Sequence, residues 1–254
     1  GMIREAVMKL GFRDMYEVSL GADFVSKNEG QELLEHYEAG EKMTTSCCPA
    51  FVSLIKKHYP QVLKYMSTTV SPMTATGRLI KAMHPDAVCV FIGPCIAKKS
   101  EVIDSITFGG ADYAMTYEEL ASMFEAKNID PEECTETLQQ GSKFGKQYSV
   151  SGGVTAAVLE TFKEANKEVD LKVKTCSGAL ECKKALMLLK VGKLPEDFIE
   201  GMACVGGCVN GPAMLGKSRT FLKDRNGQIA KADDRGVLEN VAQYDEYGIN
   251  MTRN

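Results

Sequence analysis

Nine of the 254 residues are cysteine: Cys47, Cys48, Cys89, Cys95, Cys134, Cys176, Cys182, Cys204 and Cys208. The count is odd, and the chain opens on Met2-Ile3-Arg4-Glu5 without a secretory leader. Both features predict a cytoplasmic protein whose thiols bind metal or catalyse, not a disulfide framework. Four thiolates can hold a 4Fe–4S cube. Zinc also accepts four thiolates, but structural zinc sites pair their ligands at short spacing. Only Cys204 and Cys208 form such a close pair, and Val205-Gly206-Gly207 lies between them. Glycines there let backbone approach a bulky inorganic ligand and aim N–H groups at it. The dispersed pattern favours a cluster buried between lobes. The plainer alternative is that Cys48 and Cys95 are small buried hydrophobes. Cys89, inside an apolar run, and Cys134, in an acidic stretch, read as structural. Cys176 and Cys182 read as free thiols at a strand–helix junction, with a redox-active pair or an extra ligand set as the alternatives.

The elements that must position these residues alternate between strand-like and helix-like runs. Residues 3–10 read as a helix and Tyr16 to Leu20 as a short strand. Ser26-Lys27-Asn28-Glu29 has the form of a capping box opening a helix to about Glu38, with Gly40 as its stop. Lys42 to Ser46 is a candidate strand, followed by a helix from Pro49 to about His58 with proline at its first position. Ala87 to Ile92 is continuously apolar, as expected of a strand buried on both faces. Asp112 to Met115 reads as a strand, and Thr116-Tyr117-Glu118-Glu119 as a second capping box. A helix is expected just after Gly152–Gly153, a strand over Leu171 to Thr175, a helix from about Leu180 to Lys190, and a last strand over Phe198 to Ala203. Repeated βα units predict a mainly parallel, doubly wound α/β architecture. Cys47–Cys48, Cys95 and Cys204 each follow a predicted strand, where open α/β sheets place their ligands.

Composition narrows the class. Hydrophobic residues make up 44% and charged residues 25%, with a net charge of −4. That is ordinary for a soluble globular chain and excludes disordered, collagenous and low-complexity classes. The slightly acidic balance gives no reason to expect nucleic acid, and the longest apolar run is too short to span a bilayer. His36, His58 and His84 have no metal-ligand spacing and read as surface or boundary residues.

Three segments carry a resemblance to the iron-only (FeFe) hydrogenase catalytic domain. They are Thr45-Ser46-Cys47-Cys48-Pro49, Gly93-Pro94-Cys95-Ile96-Ala97-Lys98-Lys99-Ser100-Glu101, and Glu200-Gly201-Met202-Ala203-Cys204-Val205-Gly206-Gly207-Cys208-Val209-Asn210-Gly211. Their order and separation fit, and the match covers nearly the whole chain. The resemblance implies an α/β fold of two lobes, each a mainly parallel twisted sheet flanked by helices, with the metal site between them and a lobe boundary at about residues 106–111. It implies an H cluster, a 4Fe–4S cube joined through one cysteine sulfur to a two-iron unit with carbonyl, cyanide and azadithiolate ligands. Cys48, Cys95, Cys204 and Cys208 would hold the cube, with Cys208 bridging to the two-iron unit. Lys98 would reach a cyanide, and Met202 would pack against the two irons. Cys47 would hand protons to the azadithiolate amine, with Glu29, Ser67 and Glu32 continuing the route to solvent. For Glu29 the competing reading is the capping box with Ser26. The implied activity is reversible conversion of 2 H⁺ and 2 electrons to H₂. The implied partners are a ferredoxin-like donor or an N-terminal iron–sulfur domain, and hydrogenase maturation proteins.

The chain also departs from that pattern. Gly93 stands where methionine is usual, Met73 matches a polar glutamine position, and Tyr148 aligns with a phenylalanine lining the site. Pro212 and Ala213 break the glycine run after the third motif. No segment with further two-iron contacts and no ferredoxin module precedes Met2. Residues 2–254 are therefore expected to be one catalytic domain from the C-terminal part of a longer protein, incomplete by itself, with Gly1 a tag remnant. Two alternatives follow: a hydrogen- or redox-sensing regulatory domain, or a 4Fe–4S protein lacking the two-iron unit. A third, a phosphate loop at Gly211-Pro212-Ala213-Met214-Leu215-Gly216-Lys217-Ser218, lacks a strand directly before it, and Pro212 removes an N–H donor.

Overall fold

The computed structural model describes residues 2–104, 107–133, 140–216 and 229–253, together with Lys223, Asn226 and Gly227. Its elements in chain order are α1 (Met2–Lys9), α2 (Val18–Glu38), β1 (Met43–Thr44), α3 (Pro49–His58), α4 (Pro72–Met83), β2 (Val90–Ile92), α5 (Ala97–Glu101), β3 (Tyr113–Met115), α6 (Tyr117–Ala126), α7 (Lys143–Gln147), α8 (Gly153–Glu164), β4 (Val173–Ser177), α9 (Ala179–Lys190), β5 (Phe198–Met202) and α10 (Val237–Ala242). The strands form two parallel sheets, β1-β5-β4 and β2-β3, and helices pack around them. Each sheet joins strands from the two sides of residues 106–111. The expected class, parallel α/β with flanking helices, is the one observed.

The α2 helix organises the first layer. Its 21 residues bury Leu20, Phe24, Val25 and Leu33 among α4, α7, α8 and α10. The approach to α4 is close enough that a Cβ on Gly21 would stand 2.3 Å from the Pro72 carbonyl. This helix starts eight residues before the expected capping box and absorbs the end of the strand expected over Tyr16 to Leu20. Ser26 lies in its interior, and its hydroxyl donates back to the Ala22 carbonyl at 2.8 Å. That back-bond satisfies the hydroxyl inside a helix, so the serine starts nothing. The box at Thr116 does form, with reciprocal bonds to Glu119.

Strand β2 is shorter and wetter than expected. Only Val90–Ile92 are extended, each is half-buried, and Val88 is 69% exposed. With one partner, β3, it is an edge strand and covers one face. The Phe198–Met202 strand is buried throughout and sits between β1 and β4. Helix α4, which has no distinct sequence signal apart from Ser71-Pro72, starts on a Ser71 cap to Thr74 N with proline in its first turn.

Candidate functional site

Cysteine loops gather at the carboxyl ends of three parallel strands. Cys48 is the N-cap of α3, four residues beyond β1. Cys95 lies between β2 and α5, and Cys204 and Cys208 follow β5. Backbone bonds tie these loops together. Thr45 N donates to the Ile199 carbonyl at 3.0 Å, Gly201 N to Thr45 Oγ1 at 3.1 Å, and Ala213 N to the Pro94 carbonyl at 3.1 Å. At Gly207 the backbone is left-handed (φ +97°), and a Cβ there would strike the Ser149 carbonyl and Val150 Cα at 2.6 Å. Only glycine lets this turn lie so close to the chain at Ser149–Ser151.

Electrostatics show what the four sulfurs share. Burial and the charges of Cys48, Cys95 and Cys204 push the Cys208 thiol up to about 12, against the pull of Lys98. Burial raises Cys48, and Cys95 adds to that, while N–H groups of Ala203 and Phe51 and the Lys98 ammonium favour its thiolate. Burial raises Cys204 as well, helped by Cys48 and Cys95. Cys48, Cys95 and Cys204 all act on the Cys208 thiol, so thiolates crowded here need a shared positive centre. Yet no three His, Cys, Asp or Glu side chains among the described residues close on a point that could hold one metal ion. A lone zinc ion, with Zn–S of about 2.3 Å, would need such a point. Four free cysteines are the donor set a 4Fe–4S cube takes.

Next to this cluster, Lys98 is buried and donates to Ser71 Oγ at 2.8 Å and Glu101 Oε2 at 2.5 Å. Met202 is 2% exposed at the end of β5, in the same apolar cluster as Cys47 and Tyr148. Met73 is buried in the first turn of α4. Gly93 leaves space that the Phe91 ring fills, since a Cβ at 93 would meet that ring at 2.6 Å.

A line of proton-bearing groups leaves the cluster along α2. Cys47 is buried, and its thiol is pushed well up by burial and by Glu29. Glu29 is fully buried; burial and the neighbouring Glu32 charge raise its carboxyl to about 8, partly offset by the Ser46 N–H and the Ser67 hydroxyl. Ser67 Oγ donates to Glu32 Oε2 at 2.6 Å, and Glu32 also accepts from Thr68 N at 2.7 Å and Thr69 Oγ1 at 3.0 Å. Glu32 is half-buried and borders solvent. The structure thus places Glu29 and Glu32 one turn apart on α2, with Ser67 bonded to Glu32 and lowering the Glu29 carboxyl.

Two contributors escaped the sequence reading. Glu200 on β5 is fully buried and accepts from Gly152 N (2.6 Å), Thr155 N (2.9 Å) and Thr155 Oγ1 (2.7 Å), capping α8 where Gly152 has no side chain to do so. Arg253 donates to the Thr69 carbonyl at 3.1 Å and to the Ser46 carbonyl. Neither has a local pattern that announces its role, because both partners are distant in sequence. Cys176 and Cys182 are buried in one apolar cluster, against which Cys48 packs. Cys182 donates to the Met202 carbonyl at 3.5 Å. Cys89 is buried, whereas Cys134, Lys217 and Ser218 lie outside the described residues. The segment before Gly211 is the 3-10 turn Cys208–Asn210, not the strand a phosphate loop needs.

Residues 1–212 match the family model "Iron only hydrogenase large subunit, C-terminal domain". The periplasmic Fe hydrogenase large subunit of Nitratidesulfovibrio vulgaris is 32% identical over 266 residues, covering 85% of this chain and 63% of its own length. Nuclear prelamin A recognition factor of Mus musculus is 26% identical, covering 80% of this chain and 56% of its own length. The chain therefore spans somewhat over half of either relative. A variant FeFe-hydrogenase of Chlamydomonas reinhardtii has the same fold, with a TM-score of 0.74 at 22% identity over 97% of this chain and 82% of its own. With the family model spanning most of its length, this chain belongs to the iron-only hydrogenase large-subunit family, as its C-terminal domain.

Proposed function

We propose that this chain is the H-cluster domain of a longer iron-only hydrogenase and takes part in the reversible conversion of 2 H⁺ and 2 electrons to H₂. The observation that supports this most is the grouping of Glu29, Ser67 and Glu32, which starts beside Cys47 and ends at solvent with Ser67 bonded to Glu32. A purely structural iron–sulfur site has no use for a carboxylic acid held protonated near neutral pH. Cys48, Cys95, Cys204 and Cys208 would hold the cube, and Cys208 and Met202 would face the two-iron unit. When bound, that unit supplies the redox metals on which protons and electrons combine. The chain supplies the rest. Cys47 stays protonated at neutral pH because its thiolate would be buried beside Glu29. Glu29 stores a proton, Ser67 passes it by accepting at one lone pair while donating, and Glu32 exchanges with water. Lys98 would place a positive charge beside the thiolates and would offer an ammonium donor to a cyanide of that unit. Electrons would come from a ferredoxin-like protein or an iron–sulfur domain elsewhere in the polypeptide, and maturation proteins would deliver the two-iron unit. The two sheets would form the cores of the two lobes, within one domain over residues 2–254.

The second reading is a cluster-only protein. Lys98 already bonds Glu101 and Ser71, so its burial needs no cyanide, and nuclear prelamin A recognition factor is among the relatives. Infrared spectroscopy of the full-length protein separates the two. After anaerobic reconstitution of the cube and loading with a synthetic two-iron complex, carbonyl and cyanide bands that shift under H₂ are expected. A reconstituted cube with no such bands would retire the hydrogenase reading. A turnover assay then distinguishes a catalyst from a hydrogen sensor.

A further inference from the structure

Helix α9 is apolar on two faces. Its inner face buries Cys182, Ala185, Leu186 and Leu189. On the outer face Leu180 is 76% exposed, and Met187 and the C-cap residue Val191, at helical spacing from it, are each more than half exposed. A helix that buries one apolar face ordinarily keeps the opposite one polar, so a second apolar stripe in water marks a surface suited to a partner.

The stripe adjoins the cysteine loop of the candidate site. Gly178 N donates to the Met202 carbonyl at 2.7 Å and Gly206 N to Ser177 Oγ at 2.8 Å, so the turn leading into α9 lies against the loop that carries Cys204. A Cβ on Gly178 would meet Val205 Cγ2 at 2.8 Å. Val205 is 72% exposed. Exposed apolar side chains thus run from the residue beside Cys204 onto the first turn of α9. Charge on this face is opposite to that of the whole chain. The protein carries a net −4, yet residues 179–193 hold Lys183, Lys184, Lys190 and Lys193 against Glu181 alone, and all four lysines are exposed. The Glu181 carboxylate accepts from Ser177 N at 2.9 Å.

We propose that this face of α9, with Val205 at its edge, docks a separate acidic iron–sulfur protein that delivers electrons to a cube held at Cys204. It rests on the reading that Cys48, Cys95, Cys204 and Cys208 hold that cube, and adds the surface at which electrons enter. One electron leaves the reduced cluster of the carrier and enters the cube; no bond forms or breaks and no proton moves. Lysines attract and orient an acidic partner from a distance, while Leu180, Met187 and Val191 lose water on contact. A domain tethered in the same polypeptide is already held at high effective concentration and needs no steering, so the lysines favour a partner that arrives by diffusion.

The test follows reduction of the cube in the anaerobic, cube-loaded chain by stopped-flow absorbance, with a reduced plant-type 2Fe–2S ferredoxin as the probe. The second-order rate constant of the parent should fall as salt rises, because added ions screen exposed lysines. Lys183→Glu combined with Lys184→Glu should lower that constant about tenfold at low salt and remove most of its salt dependence. Reduction by a photogenerated deazariboflavin radical, a small neutral reductant, should stay unchanged. Leu180→Ser should slow the ferredoxin at low and high salt alike, since apolar contact is not screened. A ferredoxin rate within twofold of the parent in the double glutamate variant would overturn the docking face. So would equal slowing with both reductants, which would mark damage to the cube site, or a parent rate independent of salt, which would hand electron entry to a tethered domain. Hydrogen plays no part in this measurement. A cube that reduces as expected in a protein without two-iron bands keeps the docking face and loses the hydrogenase reading, whereas a chain that takes up no cube removes both.

Discussion

Glu29 shows how one buried side chain links stability to proton traffic. Its carboxyl is raised from 4.5 to about 8, first by burial and then by Glu32. The folded chain therefore keeps a proton that the unfolded chain releases above its ordinary value. The stability this provides is complete below pH 4.5 and is lost as pH rises towards 8, at up to about 1.4 kcal/mol per pH unit. Glu29→Gln, which cannot ionise, should flatten that slope. Urea midpoints of the cube-loaded parent and variant between pH 5 and 9 would show it: the variant's midpoint falls less steeply with pH than the parent's, the remainder coming from other raised carboxyls such as Asp23. A parallel decline would mean that Glu29 is ionised in the folded state. Legibility at this scale divides by chemistry. The ligand cysteines carry motifs and were readable. Tyr148 was noticed only as a replacement for phenylalanine, because an aromatic ring in a core gives no sign of where its hydroxyl points.

At the scale of elements, strand ends and helix starts decide where ligands go. The helices at Pro49, Ala179 and Gly153 and the strand at Phe198 were legible from proline, glycine and apolar runs. The start of α2 was not. Its hydroxyl-bearing Ser26 mimics a cap, while the true N-terminus at Val18 follows Glu17, which makes no side-chain cap bond. Tertiary packing against α4, α7, α8 and α10 overrides the local signal there. Glu200 offers a direct test of such long-range support. It fixes the amide end of α8 to the strand that leads into Met202 and Cys204, joining a carboxylate to a helix N-terminus. Removing it orphans two half-buried N–H groups and a hydroxyl. Glu200→Ala is expected to cost about 2–4 kcal/mol, on the basis of roughly 1.5–3 kcal/mol for a bond to a charged group. Glu200→Gln, which retains acceptor geometry on one oxygen, should cost about half as much. Chemical denaturation of the three proteins gives the ranking, and equal stability of parent and alanine variant would show that the α8 cap contributes nothing.

For the molecule as a whole, the two sheets do not meet edge to edge, so the segments running between them must hold the site's geometry. No helix among the described residues is long and apolar enough to cross a membrane, and the longest, α2, is spent on internal packing. The segment Asn250–Arg253 does part of the holding. Val70 N donates to the Met251 carbonyl at 2.8 Å, Arg253 N to the Thr68 carbonyl at 2.7 Å, and Thr69 pairs with Thr252. Arg78 on α4 grips the same segment through the Asn250 and Thr252 carbonyls at 2.6 and 2.9 Å. The Arg253 guanidinium then reaches the Ser46 carbonyl beside Cys47 and the Thr69 carbonyl beside Ser67 at once. A planar fork can span two such acceptors, whereas a lysine ammonium is a single point on a flexible stem. Arg253→Lys should therefore keep the charge and lose the bridge. Losing about one net hydrogen bond, roughly 1–1.5 kcal/mol, predicts amide exchange about tenfold faster at Thr69 and Val70, with α9 and β4 unaffected. Hydrogen-exchange mass spectrometry of the cube-loaded protein resolves these segments. Faster exchange confined to residues 44–47 and 67–71 would establish the segment as the clamp on both relay loops, whereas a uniform increase would assign Arg253 to global stability alone.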